Sequence, residues 1–475
     1  MKSNRVSFVL IVLIFLLGCN SDEWIPLFDG QSLDGWKASE NADSWMIEEG
    51  ALVTMGPRSH LFYVGDVMDH HFKNFEFMAD VKTEPVSNSG IYIHTEFQQE
   101  GWPEKGYECQ VLNSSVPHGE NKMTGSIYAV RNNWKSPVPD NEWFNYHIKV
   151  QGKTIQTFVN GIQVAEYTEP EDPYRLQGFE SRVLSTGGTF ALQCHDPESV
   201  VRFRNIKVKP LSDDLPSLGS PPEDLEFEKK LIRLHTYGFP LIDLHVHLKG
   251  GLTREEALAH ARKYGFSYGL AVNCGLRMGK ETDTELKEYL DEYTPSPLTW
   301  HAMQAEGREW VDLYSEENVS QFDYVFTDAM TWTNDNGKRM RLWIPEETEV
   351  GDPQDFMDKL VVRIEQIVST EPVDIYVNPT YLPDEINARY DELWTNERMD
   401  RVINALVKNQ VALEINNARQ IPSPAFIKRA KNAGVKFTFG TNNGGADDLG
   451  RMEYAISMIG ECDLGSEDMW TPSSH

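Results

Sequence analysis

Along residues 24–211 the apolar positions recur at every second residue, in short runs broken by Gly, Asn and Pro. NFEFMADVKT, SGIYIHTEF, YECQVLN, GSIYAV, WFNYHIKVQG, TIQTFVNGIQVAEY, TFALQCH and VRFRNIKV all read this way. Period two with such dense turns predicts an antiparallel β-sandwich. The pattern stops at SDDLPSLGSPPEDLEFE, whose polar, proline-rich composition predicts a linker over 212–230. From 231 to 475 seven apolar runs follow: LIDLHVH, SYGLAVN, LTWHAMQAE, FDYVFTDAM, DIYVNPT, VALEIN and KFTFGTN. Helical stretches separate several of them, such as TREEALAHARKYG with Thr253 and Glu256 spaced as a capping box. Alternating β and α units of this length predict a parallel barrel or sheet.

Residues 1–19 break both patterns. Lys2 and Arg5 precede an apolar run over 6–17 that ends in LLGC. The run is short for a spanning helix and sits where a signal peptide sits. A Cys directly after it resembles the bacterial lipoprotein box. That resemblance implies Cys19 as an acylated first residue and a lipid-anchored place in the bacterial cell envelope. An ordinary signal peptide with an incidental Cys is the alternative.

The other four cysteines, Cys109, Cys194, Cys274 and Cys462, form no CxxC or Cys/His cluster, which argues against a zinc ribbon. Cys109 and Cys194 could pair in an oxidising compartment; buried free thiols are the reading preferred. A net charge of −29 over 475 residues argues against nucleic acid and against docking on anionic lipid by charge, and leaves a neutral substrate open.

Strand parity sorts the sandwich residues onto two faces. Asn88, Tyr92 and His94 oppose Ile91 and Ile93; Glu108 and Gln110 oppose Cys109 and Val111. Ser126 and Tyr128 oppose Ile127, Gln193 and His195 oppose Cys194, and Arg202 and Arg204 oppose Phe203. Every antiparallel sheet has a wet face, but that face is ordinarily Lys, Glu, Thr and Ser. Amides, imidazoles, a carboxylate, tyrosines and arginines together suit hydroxyl recognition and stacking on sugar rings.

WIPLFDGQSLDGWK, NSGIY, GYECQ, TGSIY, the EWFNYHIKVQG…VNG run, LQCH and FRNIKV resemble the 3-keto-disaccharide hydrolase family, formerly DUF1080, in the expected order over 24–210. The resemblance implies a concanavalin-like jelly roll that cleaves glycosides oxidised to a ketone at C3. Such a ketone acidifies the C2 hydrogen, so its removal gives an enolate that expels the C1 substituent. Water then adds, or the enone leaves. The chemistry needs a base, a proton donor to the leaving group and donors for the enolate oxygen. Glu108 and His195 are the expected acid/base pair, with roles interchangeable. Asn88, Tyr92, His94, Gln110, Tyr128, Gln193 and Arg204 are the expected substrate contacts.

In βα barrels chemistry sits at the C-terminal strand ends. Here those ends carry His245 and His247, Asn273, Glu306, Asp328, Asn378, Glu414 and Asn442. Seven strands opening on HxH resemble the PHP (polymerase and histidinol phosphatase-like) family over about 236–475, which implies a (β/α)7 barrel holding up to three divalent metals. Asn378 stands where that family often has His, and TNNG stands where Asp and His are usual. Amide oxygens are poorer ligands for zinc or manganese than imidazole or carboxylate. The expectation is therefore a reduced site of His245, His247, Glu306, Glu414 and Asp328 holding one divalent metal (Zn or Mn), or a degenerate scaffold with none. The amidohydrolases also open on HxH, but no candidate for their metal-bridging lysine is evident.

The sequence thus predicts an envelope-anchored, two-domain protein acting on a small carbohydrate. Two alternatives stand beside it: a non-catalytic surface glycan-binding lipoprotein, and a metal-dependent phosphoesterase in the barrel. Replacing Glu108 separates enzyme from binding module, and chelator sensitivity tests the barrel.

Overall fold

The structure, a computed structural model, describes residues 23–115 and 122–472. Cys19 and the lipoprotein-type segment lie outside the described residues, so that expectation has no structural counterpart. Among the described residues no helix is long and apolar enough to cross a membrane.

The alternating runs form two antiparallel sheets packed face to face. One has eight strands, with Phe75–Thr83 and Val201–Pro210 paired at its centre. The other has five, in the order Trp36–Ala38, Ser59–Tyr63, Thr189–Cys194, Asn88–Thr95, Tyr107–Leu112. Between them lies an apolar layer that includes Phe75, Phe77, Ile91, Ile93, Val111 and Phe190. Phe75–Thr83 alternates strictly between buried and half-buried positions, as a strand with one covered face must. Four strands of the five-stranded sheet, all but Trp36–Ala38 at its edge, are buried on both faces, because loops fold over its polar side.

The seven predicted parallel strands are all present and close into a barrel in chain order: Ile242–Val246, Ser267–Cys274, Thr299–Ala305, Tyr324–Thr327, Ile375–Tyr376, Ala412–Asn416 and Phe437–Gly440. The helix Arg254–Tyr264 opens with the predicted capping box: Thr253 accepts from the Glu256 amide while Glu256 accepts from the Thr253 amide. Such a cap contributes about 1 kcal/mol.

Two expectations change. The last part of the predicted linker is the start of the helix Leu225–Thr236, capped by Asp224. The rest is tied to the sandwich, with Asn74 Nδ2 donating to Ser212 O at 2.8 Å and Gly219 N to Thr154 Oγ1 at 3.1 Å. GSIYAV is not a strand: Ile127 pairs only through isolated bridges with Cys109 and Arg131, and Ala129 turns the chain at φ 67°. Cys109, Cys194, Cys274 and Cys462 are buried free thiols.

The two halves meet in a polar joint. Arg131 of the sandwich is 2.9 Å from Glu228 of the first helix after the linker, their side chains only 1% and 5% exposed. Removing either partner would leave a buried charge unpaired, at a cost of about 3–5 kcal/mol.

Candidate functional site

The polar side of the five-stranded sheet forms the floor of a cleft of about 360 Å³ lined by Asn88, Tyr92, Trp102, Glu108, Arg182 and His195, among others. Antiparallel register sets Tyr92 opposite Glu108 and Gly90 opposite Gln110. Tyr92 Oη donates to Glu108 Oε2 at 2.8 Å, and Gln193 Nε2 donates to Oε1 at 3.0 Å. Gly90 makes this possible: a Cβ there would lie 2.5 Å from Glu108 Oε1 and 2.8 Å from its Cγ. The bare α-carbon lets the carboxylate fold across the sheet to its partners.

Burial pushes the Glu108 carboxyl above its ordinary range, against the pull of Arg182, 3.9 Å away, and of the hydrogen bonds from Tyr92 and Gln193. Tyr92 is held well above its usual value, first by burial and then by the Glu108 charge, so it stays a donor. Gln110 Nε2 donates to Asn88 Oδ1 at 2.6 Å. The carbonyl oxygens Oε1 of Gln110 and Gln193 are buried without a partner among the described residues.

His195 follows the Thr189–Cys194 strand directly and is 30% exposed at the side chain. Its Nδ1 lies 2.7 Å from Asp196 Oδ2. Asp196 also accepts from the Glu198 and Ser199 amides and the Ser199 hydroxyl. Burial raises the Asp196 carboxyl, but these bonds and His195 outweigh it and hold Asp196 below its usual value. An ionised Asp196 makes Nδ1 the protonated nitrogen, leaving Nε2 as the basic one. The Trp102 ring lies 5.0 Å from His195.

Six lining residues, Trp102, Pro103, Glu104, Gly178, Phe179 and Arg182, escaped the sequence reading because they are not on alternating strands. Trp102 and Phe179 come from loops, as does Arg182. The loop that carries Arg182 is fastened beneath the site. Arg175 Nε donates to Arg182 O at 2.7 Å, and Glu169 accepts from the Leu184 amide and from Tyr107 Oη. His60, across from Gln193 in register, sits under Trp102 with both ring nitrogens buried and unpartnered. Burial lowers it to about 3, so it is neutral. Its parity on SHLFY would have placed it on the polar face.

The cleft gathers Glu108, His195, Asn88, Tyr92, Gln110, Tyr128 and Gln193 as expected, and two residues fall elsewhere. His94 adopts φ 51° at a bulge that slips the register with the neighbouring strand, so its Nε2 meets Lys73 O at 2.9 Å and its ring packs on Phe75. Arg204 belongs to the eight-stranded sheet, where it lies 3.7 Å from Asp80 and 3.9 Å over the Trp143 ring, outside the cleft. The guanidinium in the cleft is that of Arg182.

At the barrel's C-terminal end the expected metal-binding residues are present and buried. Several of their polar atoms are engaged with protein, while His245 Nε2 is buried with no partner among the described residues. His245 Nδ1 lies 2.6 Å from Glu414 Oε1, while Glu414 Oε2 accepts from the Asn378 amide and Asn416 Nδ2. Asp328 accepts from Asn378 Nδ2 and the Met330 amide; Glu306 accepts from Gln304 Nε2 at 2.8 Å and from Thr331 Oγ1 at 3.3 Å. His247 Nδ1 meets Ala271 O at 3.2 Å. Among the described residues no three His, Cys, Asp or Glu side chains converge to hold a metal ion. Asn378 links two of the carboxylates, through its backbone amide to Glu414 and its Nδ2 to Asp328.

Residues 23–209, less than half of the chain, match the family model described as a 3-keto-alpha-glucoside-1,2-lyase-like domain; the match covers the sandwich and ends before the barrel. No curated protein matches the chain. Among solved structures, the chain is similar to a candidate glycosyl hydrolase from Parabacteroides distasonis ATCC 8503, at 24% identity over 40% of this chain and 94% of that one, TM-score 0.35. A second structure of that description from the same organism matches at 24% identity, over 40% and 100%, TM-score 0.33. The carbohydrate-binding module CBM66 from Bacillus subtilis matches at 12% identity, over 37% and 95%, TM-score 0.26.

Proposed function

We propose that the cleft cleaves a 3-keto-glycoside by elimination. His195, oriented by Asp196, takes the C2 proton on Nε2, and the electrons pass to the C3 oxygen as an enolate. The Arg182 guanidinium is the cationic group available to that oxygen. As the enolate collapses, the C1–O bond breaks and Glu108 gives its proton to the departing oxygen. The product is an enone, or, after water adds at C1, the free 3-keto sugar. The observation that carries this reading is the buried Glu108, its carboxyl raised by burial, facing the same cleft as an Asp–His pair whose Nδ1 is held by the carboxylate.

The test is an NMR time course of a 3-keto-disaccharide with residues 21–475, with chelator present. Cleavage that is lost on Glu108→Gln while the sugar still binds is the expected result. Binding without cleavage by the unmodified protein, also after divalent metal is restored, would leave a glycan-binding module instead. In this reading the protein works in a bacterial cell envelope, held by lipid on Cys19. Fatty-acid labelling that is lost on Cys19→Ala checks that placement; labelling that persists would refute it.

A further inference from the structure

Residues 122–135 connect the cleft to the barrel and belong structurally to both. On the sandwich side their backbone covers the free edge of the Tyr107–Leu112 strand. Gln110 N donates to Ser126 O and Tyr128 N to Glu108 O, each at 2.9 Å, and Gly125 N donates to Gln110 O at 3.2 Å. Thr124 N likewise donates to Leu112 O at 2.9 Å; Glu108 and Gln110 belong to the cleft floor, and Tyr128 is itself part of the lining.

On the barrel side the same segment is locked down. Arg131 Nη2 donates to Glu228 Oε1 at 2.9 Å and Nε to Lys263 O at 2.5 Å. Asn132 Nδ2 donates to His235 O at 2.8 Å. The Trp134 ring is buried in the apolar cluster inside the barrel, with Ile242, Leu244, Trp300, Tyr324 and Ile375. Its Nε1 donates to Gly265 O at 3.3 Å, and Lys135 Nζ donates to Thr299 O at 2.7 Å. Gly265 ends the helix that leads into the strand Ser267–Cys274, and Thr299 begins the next strand, so Trp134 closes the barrel at the end opposite His245 and Glu414. Between the two attachments Ala129 is in the left-handed region, a conformation that a non-glycine residue keeps only where its surroundings enforce it.

From this juxtaposition we infer that the barrel is the positioning half of the sandwich site, with Arg131 and Trp134 as positioning residues. Through residues 124–128 they fix the strand that aims Glu108 at Tyr92 and Gln193. The inference rests on the proposed elimination for its kinetic readout, and it assigns the barrel a task that needs no metal and no chemistry of its own.

The test uses the full chain with Trp134→Leu, and separately Arg131→Met combined with Glu228→Leu, which removes both buried charges together. The expected result is folded protein whose kcat falls about ten-fold or more, with KM changed less than about two-fold. The pH limb due to Glu108 should shift, and hydrogen exchange should quicken over 107–112 as well as 124–131. Faster exchange confined to 124–131, with kcat and the pH limb unchanged, would reduce the segment to a tether and overturn the inference. If the double variant does not fold, Trp134→Leu and Asn132→Ala, which strand no buried charge, carry the same readouts. If the unmodified protein turns over no 3-keto-glycoside, the proposed function fails. Exchange then decides alone: protection of 107–112 that survives in the variants overturns the inference, and its loss supports it.

Discussion

Glu108 and His195 differ in surroundings more than in chemistry, and that difference assigns their roles. Glu108 lies buried among neutral donors, with Arg182 at the edge of contact, and burial keeps its proton on above the usual carboxylate range. His195 is part-exposed and backed by a carboxylate that favours protonation at Nδ1. If Glu108 is the acid, activity depends on its protonated form. Its pH limb then descends toward alkaline pH, at a position above the ordinary carboxylate value. If Glu108 were the base the same limb would ascend instead, so the sign of one limb in kcat/KM decides between the roles. Asp196→Asn tests the other partner. Without the carboxylate the imidazole tautomer is no longer fixed, and kcat should fall on the order of 10²-fold with little change in KM. A loss confined to KM would mean that Asp196 only shapes the pocket.

Among elements, Gly90 is the most sensitive point on the floor. It is not in the left-handed region; what it supplies is absence of a side chain beneath the Glu108 carboxylate. Gly90→Ala should leave the sheet folded and displace the carboxylate from Tyr92 and Gln193. A kcat/KM loss of roughly 10- to 100-fold is expected, as for about 1 Å of misplacement. Activity within about two-fold of the unmodified protein would show that the carboxylate can move aside freely.

The same strands show what alternation can reveal. Parity placed Asn88, Tyr92, Glu108, Gln110 and Gln193 correctly, because regular strands turn successive side chains to opposite faces. It failed at His94, where one left-handed residue in a bulge reverses the faces, and no local residue type marks that bulge. It failed at Arg204 for another reason: parity gives the face within a sheet but not which of two sheets the strand joins. Arg182 and Trp102 were illegible because loop residues carry no period. In the barrel the strand ends were read correctly, since apolar runs with polar terminal residues mark them. The hydrogen bonds that occupy His245, Glu414 and Asp328 depend on pairings up to 169 residues apart, which no local pattern encodes.

At the scale of the whole molecule the joint between the halves is a titratable one. His235 Nε2 lies 3.0 Å from Tyr264 O, and its Nδ1 accepts from the Asn132 amide at 3.4 Å, so the neutral ring satisfies both neighbours. Burial, then the nearby Arg131 charge, lowers it to about 3 from the ordinary 6.5, against a small opposing pull from Tyr264 O. The folded-state value is depressed, so between about pH 6.5 and 3 the unfolded chain binds a proton that the folded chain refuses. The stability involved is complete above 6.5 and is lost as pH falls, at about 1.4 kcal/mol per pH unit. His60, lowered to about 3, and His94, His260 and His301, lowered to about 4, add slopes of the same sign. The raised carboxyls of Glu108 and Glu371 act oppositely, since each holds a proton in the folded state that the unfolded chain has already released. A difference measurement cancels all of these. Urea unfolding of the unmodified protein and of His235→Gln, compared between about pH 5 and 6, should show the variant's stability changing less steeply by about 1.4 kcal/mol per pH unit. Identical slopes would mean that His235 is already charged in the folded protein. The Asn132 amide would then be facing a second donor, and that contact would no longer help to hold the joint that positions the Glu108 strand.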